Sequence, residues 1–277
     1  TGLRIALLTG AVKAAEKREI CLALSEGRID LLVGTHALIE INAVFRDLAL
    51  VVIDEQHRFG VKQRSRLGKC EGTIPHVLVM SATPIPRTLG FVLYGDLDIS
   101  VVRGLPAGRI PIETYTASSK DDSRIYDLIR RHTDEGRQAY IVCPMIESTR
   151  ESDLLSVNEL HKDLSERIFP DKRIGLLHGG MKPSEKESVM TAFMNKETDI
   201  LVSTTVIEVG VDNPNATIML IQNAERFGLA QLHQLRGRIG RGNHRSVCIL
   251  KSDTDQKTAT ERLKILCRSN DGFVIAE

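Results

Sequence analysis

Leu8-Thr9-Gly10-Ala11-Val12-Lys13-Ala14-Ala15-Glu16-Lys17 and Leu177-His178-Gly179-Gly180-Met181-Lys182-Pro183-Ser184-Glu185-Lys186 open two stretches of this chain that match each other. Residues 8–35 align without a gap on residues 177–204, and ten of the 28 positions are identical. The identities fall where a β-α-β unit needs them. Gly10 and Gly179 lie in the turn after a short apolar run, Lys13 and Lys182 stand where a helix opens, and Ala23 and Ala192 lie within that helix. Asp30, Leu32, Val33 and Thr35 match Asp199, Leu201, Val202 and Thr204 in the next apolar run. After a one-residue slip the match resumes, with Ile53, Arg58, Phe59, Gly60 and Gln63 on Ile221, Arg226, Phe227, Gly228 and Gln231. Self-similarity on this scale marks a duplicated folding unit.

Outward from the repeat, short β-branched runs alternate with longer amphipathic stretches. Strands are predicted at 4–8, 30–33, 48–54, 76–81, 112–116, 139–143, 173–177, 199–202, 217–222 and 247–250. Apolar runs of this length separated by helical periods predict parallel sheets covered by helices on both faces, so the fold class is α/β. Gly104-Leu105-Pro106-Ala107-Gly108-Arg109-Ile110-Pro111 interrupts helix and strand alike, which places a linker at 106–111 between lobes at 1–105 and 112–277. A chain of 277 residues has room for two such cores.

Composition narrows the partners. The balance of 37 basic and 36 acidic side chains excludes a globally basic nucleic-acid binder, so any polyanion site must be local. Aromatics are 4% and Trp is absent, which disfavours a row of base-stacking platforms and favours phosphate contact. Apolar runs such as 48–53 are too short to cross a bilayer, so no membrane role is expected. The five cysteines are scattered and form no Cys-x-x-Cys pair, which reads as reduced thiols in a cytoplasmic protein.

The chemistry is unevenly divided between the copies. Leu50-Val51-Val52-Ile53 runs into Asp54-Glu55-Gln56-His57, and adjacent carboxylates at the carboxyl end of a parallel strand suit a hard cation and a ligand. The aligned positions in the second copy are Gln222 and Asn223. A carboxylate pair kept in one copy only points to a single metal and catalytic site, with a solvated strand end as the plain alternative. The second copy instead carries Gln234-Leu235-Arg236-Gly237-Arg238-Ile239-Gly240-Arg241. Arg238 and Arg241 are three apart and are predicted to share a helix face, from which lobe closure would deliver cations to a departing γ-phosphate. A basic surface helix is the alternative.

Each copy also holds a device for gripping a phosphate backbone. The Gly-containing turns at Thr9-Gly10 and His178-Gly179-Gly180 precede helices opening near Lys13 and Lys182, and a helix N-terminus offers free N–H groups. The following strands end in Gly34-Thr35-His36 and Ser203-Thr204-Thr205, small donors suited to sugar-phosphate oxygens. Plain turns and N-caps would explain the same residues without a ligand. Ser81-Ala82-Thr83-Pro84 follows another strand, and its hydroxyls are candidates for relaying the state of a nucleotide site.

One element is missing. No stretch fits G-x-x-x-x-G-K-[ST], since at Gly68-Lys69-Cys70 the first glycine is replaced by Gln63 and the hydroxyl by Cys70. In a lobe of this type that loop precedes the strands present here, so the expectation is a fragment whose first lobe is truncated at its N-terminus.

Asp54-Glu55-Gln56-His57-Arg58-Phe59-Gly60-Val61, Ser81-Ala82-Thr83-Pro84-Ile85-Pro86-Arg87-Thr88 and Gln231-Leu232-His233-Gln234-Leu235-Arg236-Gly237-Arg238 resemble motifs of helicase superfamily 2, and within it the RecG family of ATP-dependent DNA helicases. The likeness extends through Leu177 to Pro183 and Thr204 to Asp212. It implies two tandem RecA-like lobes. It implies Asp54 as the Mg²⁺-holding residue and Glu55 as general base on the attacking water. Gln56 and His57 would couple the ATP to Ser81 and Thr83, and Arg238 and Arg241 would be arginine fingers beside Gln234. Gly210 and Asp212 would lie by the nucleotide, and Glu208 near the lobe interface. Gly34, Thr35, His36, His178, Gly179, Gly180, Lys182, Thr204 and Thr205 would meet the DNA backbone.

The family acts in recombination and repair on branched or duplex DNA, reversing stalled forks by branch migration, with a wedge domain absent from this chain. The resemblance therefore implies a monomeric cytoplasmic motor portion that by itself hydrolyses ATP poorly. The transcription-repair coupling factor shares much of the pattern, but there a different residue is expected at Gln56 or His57 and Tyr at His233. A non-catalytic DNA-binding module and an RNA helicase stay open as alternatives.

Overall fold

The computed structural model describes residues 2–35, 37–40, 43–54, 75–81, 98–102, 104, 108–144, 150–205 and 213–276. The chain forms two compact units, Thr1–Ala82 and Thr83–Glu277.

In the first unit, β1 (Ile5–Leu8) and β2 (Leu31–Gly34) pair in parallel and are joined through helix α1 (Ala14–Ser25). A short helical turn α2 (Ala37–Glu40) follows, then β3 (Leu50–Ile53) and β4 (His76–Val79), which also pair in parallel. Leu8, Ile20, Leu24 and Ala37 form the core on one face of β1 and β2. On the other face Ile5, Leu7, Leu31 and Val33 are exposed by 45–60%.

The second unit is built on a six-stranded parallel sheet. In chain order its elements are β5 (Glu113–Ala117), α3 (Asp122–Asp134), β6 (Gln138–Val142), α4 (Arg150–Asp163), β7 (Ile174–Leu177) and α5 (Pro183–Met194). There follow β8 (Ile200–Ser203), β9 (Ala216–Ile221), α6 (Leu229–Arg236), β10 (Val247–Lys251), α7 (Lys257–Arg268) and α8 (Gly272–Ala276). The strand order is β5-β10-β9-β6-β8-β7, with every pairing parallel. The inner strands β6, β8 and β9 are buried at every position, as expected of strands covered on both sides.

Their alternation sorts two cores. Tyr140, Val142, Leu201, Met219 and Ile221 face Phe193 of α5, Leu232 and Leu235 of α6 and Leu263 of α7. Ala139, Ile141, Ile200, Val202, Ile218 and Leu220 face Ile125 and Ile129 of α3 and Val157 of α4. All ten predicted strands are present within two residues of their expected ends.

The duplication is visible bond by bond. Helices α1 and α5 open from Lys13 and Lys182 with the same backbone angles, φ −65°, ψ 152° and φ −64°, ψ 151°. Thr35 N–H donates to Leu8 O and Thr204 N–H to Leu177 O. The equivalence reaches back before the aligned block: Arg4 grips Asp30 and the Gly27 carbonyl as Arg173 grips Asp199 and the Lys196 carbonyl. At that last position the backbone is left-handed in both copies, φ 70° at Gly27 and φ 62° at Lys196.

Candidate nucleotide and nucleic-acid site

In the first unit, Asp54 directly follows β3 and Ser81 lies just beyond β4, both exposed. The register pairs Ile53 with Val79, and Met80 N–H donates to Ile53 O at 2.8 Å. The two polar groups therefore leave the carboxyl ends of neighbouring strands, as open α/β sheets arrange their ligand sites. Glu55, Gln56, His57 and Thr83 lie outside the described residues, as does His36. Gly34 and Thr35 end β2 in exposed positions. A Cβ on Gly34 would stand 2.1 Å from Leu8 O and 2.8 Å from Leu38 Cγ, so close packing requires this glycine whether or not a ligand approaches.

In the second unit the candidate residues divide between the two edges of the sheet. At the carboxyl edge, His178, Gly179 and Gly180 leave β7, and Thr204 and Thr205 leave the adjacent β8. Gly179, Gly180 and Lys182 are exposed. The α5 N-terminus is partly occupied from within, since the Glu185 carboxylate accepts the Lys182 N–H at 2.8 Å. Lys186 Nζ donates to Gly179 O at 3.0 Å and holds the turn closed. The Thr204 hydroxyl is buried, with the residue 3% exposed, and neither it nor His178 Nδ1 has a hydrogen-bond partner among the described residues. Thr205 is half-buried.

Arg238 and Arg241 are at the opposite edge, and the expectation that they share a helix face is corrected here. Helix α6 ends at Arg236, with Gly237 as its C-cap, and the two arginines follow in a turn that passes through Gly240 at φ 71°. Gly237 keeps a right-handed backbone at φ −64°, ψ −9°, and it is Gly240 that supplies the left-handed turn by which the chain leaves the helix direction. Gln234 is half-buried on α6. The turn packs on segments that enter strands rather than leave them. Arg109 donates to Gly240 O at 3.2 Å and Gly237 O at 3.3 Å, and a Cβ on Gly240 would meet Ile112, just before β5, at 2.8 Å. A Cβ on Gly242 would lie 2.4 Å from Pro214 O, just before β9.

Three groups unsuspected from sequence hold this edge in place. Gln138, 1% exposed at the start of β6, donates to Phe193 O at 2.6 Å and Thr198 O at 2.7 Å. Its Oε1 accepts from Asn213 at 3.1 Å and Asn215 at 2.9 Å. Asn213 is the first described residue after 206–212, so the amide pins the end of the segment that carries Glu208, Gly210 and Asp212, themselves outside the described residues. Arg236, 3% exposed, donates to Leu266 O at 2.8 Å and Ser269 O at 3.0 Å and tethers α6 to α7. Its burial pulls the guanidinium pKa down, and burial followed by the Arg236 charge lowers that of His233. A glutamine heading an otherwise apolar run was the one visible signal; Arg109 and Arg236 carried none beyond their charge.

Among the described residues no cluster of three His, Cys, Asp or Glu side chains could hold a metal, and no helix is long and apolar enough to cross a membrane.

The DEAD/DEAH box helicase family matches residues 1–91 and the helicase conserved C-terminal domain matches residues 121–243. ATP-dependent DNA helicase RecG of Synechocystis sp. is 56% identical over 275 residues, 99% of this chain and 33% of the relative. RecG of Bacillus subtilis is 49% identical over 274 residues, 99% of this chain and 40% of the relative. The chain thus spans about a third to two fifths of the length of these relatives. A solved RecG bound to a three-way DNA junction is 43% identical with a TM-score of 0.78, covering 100% of this chain and 36% of that one. Dbp5 of S. cerevisiae bound to RNA and ADP BeF3, 16% identical with a TM-score of 0.63 over 100% of this chain and 70% of that one, shares the fold alone.

Proposed function

The chain belongs to the helicases, as a two-domain motor segment of the RecG type, and from that premise we propose that it couples ATP hydrolysis to movement along duplex and branched DNA. The observation that carries this reading is the division of the second unit's polar residues. The exposed turn from Gly179 to Lys182 occupies the carboxyl edge of its sheet, and the arginine turn occupies the amino edge beside Pro214. A motor needs two such surfaces, one that follows the track and one that follows the nucleotide, within a body rigid enough to link them.

In this reading Asp54, an exposed oxygen donor at a strand end, suits Mg²⁺ held through water. Glu55 orients and deprotonates the attacking water, with Gln56, His57, Ser81 and Thr83 reporting the nucleotide's state. Arg238 and Arg241 neutralise charge developing on the γ-phosphate, an effect worth roughly 10³–10⁵ in rate where such arginines operate. Bound Mg²⁺–ATP supplies the phosphoryl group; Gln234, Gly210 and Asp212 bind and orient around it, and Glu208 couples its hydrolysis to movement. The backbone grips at Gly34–His36, His178–Lys182 and Thr205 hold phosphates without reading sequence, while the buried Thr204 supports the turn beneath them. The lobes divide at the 106–111 linker, and the protein works as a cytoplasmic monomer in recombination and repair.

In the full-length protein, Glu55→Gln should abolish DNA-stimulated ATP hydrolysis while leaving DNA binding intact; retained hydrolysis would overturn the reading. Comparing DNA and RNA duplexes as activators separates a DNA motor from an RNA one. A binding module without turnover is the second reading, favoured by the matching geometry of the Lys13 and Lys182 turns. It predicts salt-sensitive DNA binding with no activation of hydrolysis in the full-length protein.

A further inference from the structure

We infer that Arg109 is a positioning residue for the arginine turn, reaching it from the segment that the sequence reads as the interlobe linker. This rests on the nucleotide-facing role proposed above for Arg238 and Arg241.

Arg109 is half-buried, and its guanidinium donates to two carbonyls 128 and 131 residues away, Gly237 O from Nη2 and Gly240 O from Nε. Those acceptors bracket Arg238 and Ile239. Gly237 caps α6, so its carbonyl lies at the negative end of the helix, where a cation is favoured. The Gly237 carbonyl also accepts Arg241 Nε at 3.1 Å. Arg109 and Arg241 therefore converge on one oxygen, and the planar fork of Arg109 fixes the separation of Gly237 from Gly240 in a way that a lysine cannot reproduce.

Steric contact reinforces the arrangement. Gly240 approaches Ile112 so closely that a Cβ would stand 2.8 Å from Ile112 Cγ1, so 109–112 lies along the turn as a splint. Two glycines give this turn the freedom to move, and an arginine whose reach must be accurate to a fraction of an ångström needs that freedom removed. Beyond α6 the ladder continues through Arg238 N–H to Leu235 O and Ile239 N–H to Arg236 O, and Arg109 adds a hold on the carbonyls of Gly237 and Gly240.

Hydrogen exchange on this chain tests the structural half. Arg109→Ala should speed exchange of the Arg238 and Ile239 amides by roughly tenfold, the factor that one or two such bonds supply, with β9 unchanged. Unaltered exchange overturns the inference. Steady-state kinetics of the full-length protein test the functional half. Arg109→Ala should lower kcat for DNA-stimulated hydrolysis by roughly tenfold with KM for ATP little changed, and Arg109→Lys should restore only part of it. In an Arg241→Ala background the same substitution should add little, because it acts through that turn. Full multiplication of the two effects, or complete rescue by lysine, overturns the positioning role. If Arg238→Ala and Arg241→Ala leave hydrolysis intact, the motor reading has failed instead, and the exchange result still stands or falls independently.

Discussion

Arg173 holds Asp199 through three hydrogen bonds: its backbone N–H and Nε both donate to Oδ2, at 2.9 and 3.1 Å, and Nη2 donates to Oδ1 at 2.7 Å. The same guanidinium donates to the Lys196 carbonyl and so ties the end of α5 to the start of β8. Arg4 and Asp30 repeat the arrangement in the first unit.

These pairs predict an acid-sensitive fold. The Arg4 side chain, then its backbone N–H, holds the Asp30 carboxyl down at about 2 against an ordinary 3.8. At Asp199 burial pushes the other way, but the bonds from Arg173 outweigh it and the net shift is also downward. Carboxyls depressed in the fold contribute stability that is full above their unfolded value and is lost as pH falls from 3.8 toward about 2. Asp199→Asn should flatten that acid limb and lower stability at pH 7 by about 1–2 kcal/mol, read from urea unfolding.

His132 adds a second pH dependence at a higher range. Burial first, then the charges of Arg137 and Arg131, lowers its pKa to about 4, and Nδ1 is 2.8 Å from the buried Thr217 hydroxyl. The unfolded chain takes up a proton below 6.5 that the fold refuses, so stability should decline from pH 6.5 to about 4 and level off beneath. His132→Gln should remove this slope, measured as unfolding free energy at several pH values.

Lys196 occupies a left-handed position that Gly27 occupies in the other copy, φ 62° against φ 70°. Lys196→Gly relieves the Cβ clash of that backbone and should raise stability by about 0.5–1 kcal/mol after the entropy of glycine is counted. A melting temperature at or below that of the parent would refute it.

Gln138→Leu should be among the most damaging single changes. It leaves the Thr198 carbonyl and the Asn213 amide without this partner, and the Phe193 carbonyl with only the Lys196 N–H. Two or three abandoned buried groups cost about 2–4 kcal/mol. Proteolysis should open first near 213–215, where Asn213 and Asn215 lose the same oxygen.

The amino-acid sequence by itself determined what is local or periodic: ten strands, the α/β class, the duplication and the two Gly-Lys turns, because apolar runs and turn residues fix backbone conformation within a few positions. It also carried the short motifs on which the family resemblance rests. Only the tertiary structure decided that Arg238 and Arg241 leave the helix at Gly237 and stand at the amino edge of the sheet, since three-residue spacing looks the same in a helix and in the turn that ends one. It alone joined Arg109 to Gly240, Gln138 to Asn213 and Arg236 to Ser269, and buried the Thr204 hydroxyl that sequence offers as a donor. Those contacts connect residues 33 to 131 positions apart, and their partners are mostly backbone carbonyls, which every residue possesses and no sequence pattern distinguishes.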